Sequence, residues 1–108
     1  MDESEKEYYR ERVRRQHLAQ QLGYAFVDLP RIQSFDDVKG LLPLETMRRL
    51  QILPLKRDGN NLWLAMADTT DILARAEVKE VTNCRVIPVV VVPSALEKWL
   101  TEQKELGP

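Results

Sequence analysis

The sequence has little of what catalytic sites and disulfides are built from. Its 108 residues include one cysteine, Cys84, and one histidine, His17. A single cysteine excludes an internal disulfide and fits a reducing compartment. One thiol and one imidazole far apart in the sequence do not predict a zinc site. We interpret His17 as a residue on a helix face and Cys84 as a small hydrophobe of a strand, so we predict no catalytic residue and no metal ligand.

Phosphate-binding motifs and membrane spans are missing as well. The glycines, at positions 23, 40, 59 and 107, form neither G-x-x-x-x-G-K-S/T nor G-x-G-x-x-G, which argues against a complete ATPase or dinucleotide enzyme within these residues. The longest apolar run, Val86 to Val92, contains Pro88 and is too short to cross a bilayer. The first residues are acidic, whereas a signal peptide begins with basic ones. We therefore expect a cytoplasmic protein with no cofactor and no direct membrane insertion.

What the sequence does contain is the composition of one folded domain. Hydrophobic residues make up 44% and charged residues 31% of the chain, and the formal net charge is -1. Such a balance predicts no general attraction to nucleic acid. We expect a single domain over residues 1–108, with a loosely held helix start over 1–15 and a tail or linker stub over 105–108.

The clearest local pattern is a hairpin between residues 51 and 68. Apolar side chains stand on both sides of a polar turn and alternate after it, at Leu62, Leu64 and Met66. Asp58-Gly59 is a strong hairpin signal because glycine accepts a positive φ without a Cβ clash. Since an isolated hairpin is only marginally stable in water, we expect the rest of the chain to cover and extend it.

Helix and strand signals follow one another on both sides of this hairpin. The predicted elements are a helix over 3–22 ended by Gly23, an extended piece over 24–31, a helical turn over 35–41, short and longer helices over 43–51 and 70–82, a strand over 84–92 and a helix over 94–104. In the 70–82 helix, Leu73, Ala74, Val78 and Val81 are expected to be mostly buried. Ser94-Ala-Leu-Glu97 is a capping-box pattern for the last helix.

The order of these elements predicts a small α+β fold. The order is α-(extended)-α-α-β-β-α-β-α, in which the second strand, its helix and the last strand form a right-handed, parallel βαβ unit. Together with the hairpin this gives a three-stranded mixed sheet covered by helices, with an N-terminal helical layer. The β-branched run of the last strand suggests that the strand is covered on both faces, or on one face by the domain and on the other by a partner. Pro88 indicates an edge or a bulge.

Two surfaces are candidates for partner contact. Arg10, Arg14 and Arg15 belong to the one basic cluster of the chain, although interspersed glutamates favour a solvated helix. Trp63 lies on the strand face opposite Leu62 and Leu64, where it is an interface anchor if exposed and a core residue if covered. Arg14, Arg15 and Arg48 are the residues that would contact an anion in a ligand-binding alternative.

Five segments in this order resemble a known family, the N-terminal domain of type II secretion and type IV pilus assembly ATPases (the GspE/PilB N-terminal domain). The resemblance covers about residues 16–101. The segments are Leu18-Ala-Gln-Gln-Leu-Gly-Tyr-Ala-Phe-Val-Asp-Leu29, Leu41-Leu-Pro-Leu-Glu-Thr-Met-Arg-Arg-Leu50, Ile52-Leu-Pro-Leu55, Leu62-Trp-Leu-Ala-Met-Ala-Asp68 and Val86-Ile-Pro-Val-Val90.

The resemblance implies a non-catalytic protein–protein docking or regulatory module, which links an ATPase to an inner-membrane assembly protein or to a regulator. The protein would then lie in the cytoplasm and reach the inner membrane only through a partner. The alternative is a sensor of cyclic di-GMP or another nucleotide. Some family members bind cyclic di-GMP through a tandem R-L-G motif, but the first 16 residues here contain no R-L-G and no glycine. We therefore do not expect cyclic di-GMP to bind in that mode, and no residue is assigned to it.

Overall fold

The hairpin is present in the computed structural model, which describes residues 1–32, 38 and 40–103. Strands β2 (Ile52–Asp58) and β3 (Asn61–Met66) pair antiparallel. Gly59 turns the chain with φ at +58°, a conformation that side chains with a Cβ rarely adopt. The register shifts between Pro54 and Lys56, so the strand bulges at Leu55. The predicted turn is confirmed.

The other elements follow the predicted order closely. Upstream of the hairpin lie α1 (Glu3–Leu22), β1 (Ala25–Phe26), a 3-10 turn (Leu29–Arg31) and α2 (Leu44–Leu50); downstream lie α3 (Ile72–Thr82), β4 (Arg85–Val90) and α4 (Pro93–Glu102). The predicted turn over 35–41 lies mostly outside the described residues, and the tail over 105–108 lies wholly outside them. No helix among the described residues is long and apolar enough to cross a membrane.

The sheet has four strands, and the expectation of three was wrong. Its order is β1-β4-β3-β2, with β4 parallel to both β3 and β1. The fourth strand is the extended piece around Ala25 and Phe26, which pairs with Val89 and Val90. The mixed sheet and the parallel pair on either side of α3 are as predicted.

Pro88 lies in a central strand and not in an edge strand. The amide of Val27 donates to the carbonyl of Val90, so Val90 presents its backbone groups toward β1. Backbone groups alternate along a strand, and Pro88 therefore faces the same side. However, β1 pairs only with Val89 and Val90. No residue of β1 is paired with Pro88, so the lack of an N–H on Pro88 costs the sheet no hydrogen bond.

Helices cover both faces of the sheet, which divides the core into two clusters. On one face, Leu62 and Leu64 pack with Ala74 and Val78 of α3. On the other face, Ala65 and Val89 pack with residues of α4, which contributes its buried side chains Leu96 and Leu100. The prediction that the last strand is covered on both faces is confirmed, because Val86 packs against the first cluster and Val89 lies in the second.

Two local expectations were wrong. In α3 only Ala74 and Val78 are buried; Leu73 is 82% exposed and Val81 is 59% exposed. Residues 74 and 78 are four apart and share one helix face. Leu73 lies about 100° away from Ala74 around the helix, whereas Val81 lies on the same side as the buried pair but in the last turn of α3, where it is exposed. In α4 the helix starts at Pro93, one residue before the predicted box, and no side chain caps it. Proline is favoured at the first helical position, so Ser94 lies inside the helix.

Candidate docking surface

The arginines predicted on the first helix point to different sides of it. Arg10 and Arg14 are exposed, and since they are four residues apart they share the outer face of α1. Arg12 and Arg15 are only partly exposed and lie toward the body of the domain. The basic side chains of α1 thus point to more than one side of the helix, and Arg10 and Arg14 form the outward pair.

Asp68 and Asp71 organise the loop that enters α3. In that loop the hydroxyl and the amide of Thr70 both donate to Asp68 Oδ1, at 2.6 and 2.9 Å. These bonds, with a smaller contribution from the Arg15 charge, hold the pKa of Asp68 below its usual range. Asp71 caps α3 by accepting from the amide of Ala74 at 3.0 Å. Among the described residues, no group of three or more His, Cys, Asp or Glu side chains is arranged to hold a metal ion.

Arg48 is engaged in holding two helices together. Its Nε donates to the carbonyl of Leu100 at 3.0 Å, and its Nη2 donates to the carbonyl of Gln103 at 2.6 Å. These carbonyls lie at the C-terminal end of α4, where the last carbonyls of a helix lack partners and a cation is favoured by the helix dipole. Arg48 thus joins α2 to α4. The arginine that the sequence suggested as an anion contact therefore has a structural role.

Trp63 is half-buried at the margin of the second core cluster, where it packs against the residues under α4. Its ring pairs across the strands with Lys56, whose ammonium lies 5.6 Å from the ring centroid. This distance is within the range of a cation–π contact. Trp63 is therefore neither a fully exposed interface anchor nor a fully covered core residue: one part of its side chain packs against the core and the other part is exposed.

The sequence patterns missed a polar junction centred on Asp28. Tyr8 Oη donates to Asp28 Oδ1 at 2.6 Å, and Arg12 Nη1 donates to Oδ2 at 3.4 Å. Arg31 forms an ion pair with the same Oδ2 at 3.4 Å. The partners Tyr8 and Arg12 come from α1, and no local pattern joins them to a residue 16 to 20 positions away. This junction fixes the first half of α1 against the chain that follows β1.

An open groove lies beside this junction, between the N-terminal half of α1 and α4. We call it the α1–α4 groove; its volume is about 690 Å³. Tyr8 and Tyr9 line it from α1, Trp99 lines it from α4, and Leu29 and Pro30 contribute from the 3-10 turn. Sequence reasoning treated this half of α1 as loosely held. The sequence signal for this surface is the Tyr8-Tyr9 pair in the otherwise polar first half of the helix.

The groove has an acidic rim. Glu5, Glu7 and Glu11 stand on the α1 side, and Glu102 stands on the α4 side, where Lys98 is the one basic side chain. Ser94 donates to Glu11 Oε2 at 2.9 Å, which joins the two helices. The groove therefore combines an aromatic surface with an excess of negative charge.

The structure is thus a small α+β domain with a mixed sheet between helices and an open groove at one side. Comparison with known proteins places it in a family. The chain belongs to the MshEN domain family, whose model matches residues 22–103. This confirms the predicted relation to the N-terminal domains of type II secretion and type IV pilus ATPases.

Three relatives illustrate this relation. The chain is 33% identical, over 90 residues and 79% of its length, to the type IV pilus assembly ATPase PilB of Thermus thermophilus, of which it spans 10%. It matches a structure of MshE with cdg at 30% identity and a TM-score of 0.69, over 81% of this chain and 63% of that one. It matches the N-terminal domain of XpsE at a TM-score of 0.68 and 21% identity, over 87% of this chain and 66% of that one; that likeness concerns the fold.

Proposed function

We propose that the chain is a non-catalytic docking module of a type II secretion or type IV pilus assembly system. It links an ATPase to the cytoplasmic part of an inner-membrane assembly protein, or to a regulator. In this role it lies in the cytoplasm and reaches the inner membrane through its partner. The observation that carries the proposal is the α1–α4 groove, in a domain whose family includes parts of assembly ATPases.

The groove supports docking because it is open to solvent at the margin of the second core cluster, to which its lining residue Leu29 belongs. Tyr9, 51% exposed, presents an aromatic side chain to solvent, and Trp99 is half-buried beside it. Aromatic side chains in partly open pockets are the residue types that anchor protein interfaces. Arg10 and Arg14 on the outer face of α1, and Trp63 with Lys56 on the hairpin, are proposed as further contacts of the same partner.

Binding to assembly proteins tests this function directly. The full chain would be immobilised and exposed to the purified cytoplasmic segments of the inner-membrane assembly proteins from the same secretion or pilus system. We expect saturable binding to at least one segment and no ATP hydrolysis by the chain alone. Absence of binding to every segment, or ATP turnover that persists through repurification, would refute the proposal.

A second candidate function, binding of cyclic di-GMP, has one observation in its favour. The solved structure of MshE with cdg is 30% identical to this chain. Of the arginines that would contact an anion, Arg48 already binds carbonyls of α4. This leaves Arg14 and Arg15, of which Arg14 is exposed. Calorimetric titration with cyclic di-GMP decides between the functions. We expect no saturable heat; micromolar binding that Arg14→Glu abolishes would establish the sensor function instead.

A further inference from the structure

We propose that the α1–α4 groove binds a short basic amphipathic helix of the partner. The apolar side chains of this helix would lie on the aromatic surface, and its Lys or Arg side chains would lie against the acidic rim. The inference rests on the proposed docking function and adds the surface used and the chemistry of the partner segment.

The floor and walls of the groove offer an apolar surface to a bound helix. Tyr8, Tyr9 and Trp99 present three aromatic side chains, and Leu29 and Pro30 contribute apolar surface between them. Of these, Leu29 is 4% exposed and anchored in the second core cluster, and Tyr8 is held by Asp28. The surface is therefore largely preformed. A preformed apolar groove between two helices suits the mode in which an amphipathic helix binds by its apolar face.

The negative charge of the rim favours a partner segment with positive charge. Four carboxylates, of Glu5, Glu7, Glu11 and Glu102, line the groove with two cations, Lys98 and the α-ammonium group of Met1. Such an excess of carboxylates repels nucleotide phosphates and anionic lipid headgroups, and it attracts Lys and Arg side chains. Glu5, Glu7 and Glu102 are exposed, so they are placed to pair with cations at the edges of a bound helix.

The dimensions of the groove also fit a short helix. The α4 side runs from Ser94 to Glu102, which corresponds to about 12 Å along a helix axis at 1.5 Å per residue. This length accommodates two to three turns of a bound helix, which is about 8–10 residues. Half of the groove lies on residues 1–11, ahead of the range 22–103 that matches the family. Half of the proposed site is therefore built by a segment of this chain that the family model does not match.

The test uses two synthetic peptides and two pairs of charge reversals in the full chain. The basic peptide is a helix-stapled sequence of about 14 residues with Leu on one face and Lys and Arg on its flanks; the acidic peptide replaces the basic residues with Glu. The groove variant carries Glu5→Lys and Glu102→Lys. Its matched control carries Glu80→Lys and Glu97→Lys, at exposed positions of α3 and α4 that do not line the groove.

We expect the basic peptide to bind saturably and to shift the indole resonance of Trp99, while the acidic peptide does not bind. In the groove variant, the dissociation constant of the basic peptide should rise about tenfold, because each exposed charge pair contributes only modestly to the binding free energy. The acidic peptide should bind this variant more tightly than it binds the unmodified chain. The control variant should behave as the unmodified chain. Equal binding of both peptides, or equal affinity of the unmodified chain and groove variant, would overturn the inference.

Two further outcomes separate this inference from the docking function. If the assembly segments bind and Leu73→Glu on α3 abolishes their binding while the groove variant does not, docking stands and the groove is the wrong surface. If the basic peptide binds but no assembly segment does, the groove chemistry stands and the docking function fails. Self-association of the chain in light scattering that the groove variant abolishes would identify a second copy as the occupant, which also overturns the inference.

Discussion

At the scale of single residues, Asp28 receives more charged and polar partners than any other carboxylate among the described residues. Its side chain is 17% exposed and is satisfied by Tyr8, Arg12 and Arg31. A carboxylate removed from water destabilises the fold unless cations and donors compensate for the lost hydration. The junction therefore has to stay complete, and each partner that it takes from α1 ties that helix to the domain.

Replacement of Tyr8 by Phe tests the junction. The change removes a donor to a carboxylate but keeps the ring that lines the groove. We expect the free energy of unfolding to fall by about 1–2 kcal/mol at pH 7, near the lower end for hydrogen bonds to charged groups because the site is partly open. Urea unfolding followed by circular dichroism measures it. Tyr9→Phe is the control and should change stability by less than ~0.5 kcal/mol.

The same residue makes stability depend on alkaline pH. Burial, and then the hydrogen bond to Asp28, raise the pKa of Tyr8 above its usual range. In the folded chain the phenol thus keeps its proton at a pH where the unfolded chain has lost it. The contribution is complete below about pH 10, the ordinary tyrosine pKa, and is lost as pH rises above it. The stability difference between the unmodified chain and Tyr8→Phe should therefore shrink from pH 9 to 11; a constant difference would contradict this origin.

Because Trp63 is half-buried, its replacement should lower stability less than the loss of a fully buried aromatic side chain. Trp63→Ala removes part of the second core cluster and the partner of Lys56. We expect a loss of about 2 kcal/mol in the free energy of unfolding, below the 3–5 kcal/mol typical of fully buried aromatics. Chemical denaturation measures this, with Lys56→Ala as the control for the cation–π part. A loss under ~0.5 kcal/mol would show that Trp63 contributes little to packing.

At the scale of elements, α4 shows how its two ends are held by different means. Pro93 occupies the first helical position, and Ser94, one residue inside, donates to Glu11 of α1. At the other end Arg48 of α2 donates to the carbonyls of Leu100 and Gln103. The helix is thus connected to α1 at its start and to α2 at its end, which positions the wall of the groove that α4 contributes.

Arg48→Ala should loosen the end of α4. We expect the free energy of unfolding to fall by about 1–2 kcal/mol, since two hydrogen bonds from a charged group are lost at an exposed site. Amide exchange in the last turn of α4 should accelerate. The control is the neighbouring Arg49→Ala, which removes only an exposed ion pair with Glu77 and should cost less than ~0.5 kcal/mol. Equal effects of the two changes would refute the capping role.

The elements also show where sequence patterns stop being informative. The hairpin and the two parallel strands flanking α3 follow from alternation and β-branched runs, which are patterns within a few residues. Strand β1 is two residues long and pairs with Val89 and Val90, and no local pattern shows a partner so distant. The exposure of Leu73 was missed because apolar character alone does not say which side of α3 meets the sheet.

At the scale of the whole molecule, the sheet and its two clusters form the stable part, and the first half of α1 is attached to it from outside. The buried core residues lie between Ala19 and Leu100, whereas residues 1–7 are exposed. Tyr8 and Arg12 are the first side chains along the chain that reach across to Asp28. The candidate surface therefore combines a rigid wall of α4 with a wall of α1 that the core does not require.

Two truncations separate these contributions. Removal of residues 1–7 deletes Glu5 and Glu7 but leaves Tyr8 and the Asp28 junction, so we expect stability to fall by less than ~1 kcal/mol while the affinity for the basic peptide falls at least tenfold. Removal of residues 1–15 takes Tyr8 and Arg12 away and leaves Arg31 as the remaining partner of Asp28, which should cost ~3 kcal/mol or more. Thermal unfolding and peptide titration measure both. A shorter truncation as destabilising as the longer one would mean that the start of α1 belongs to the folded core, and the division between core and groove wall would be wrong.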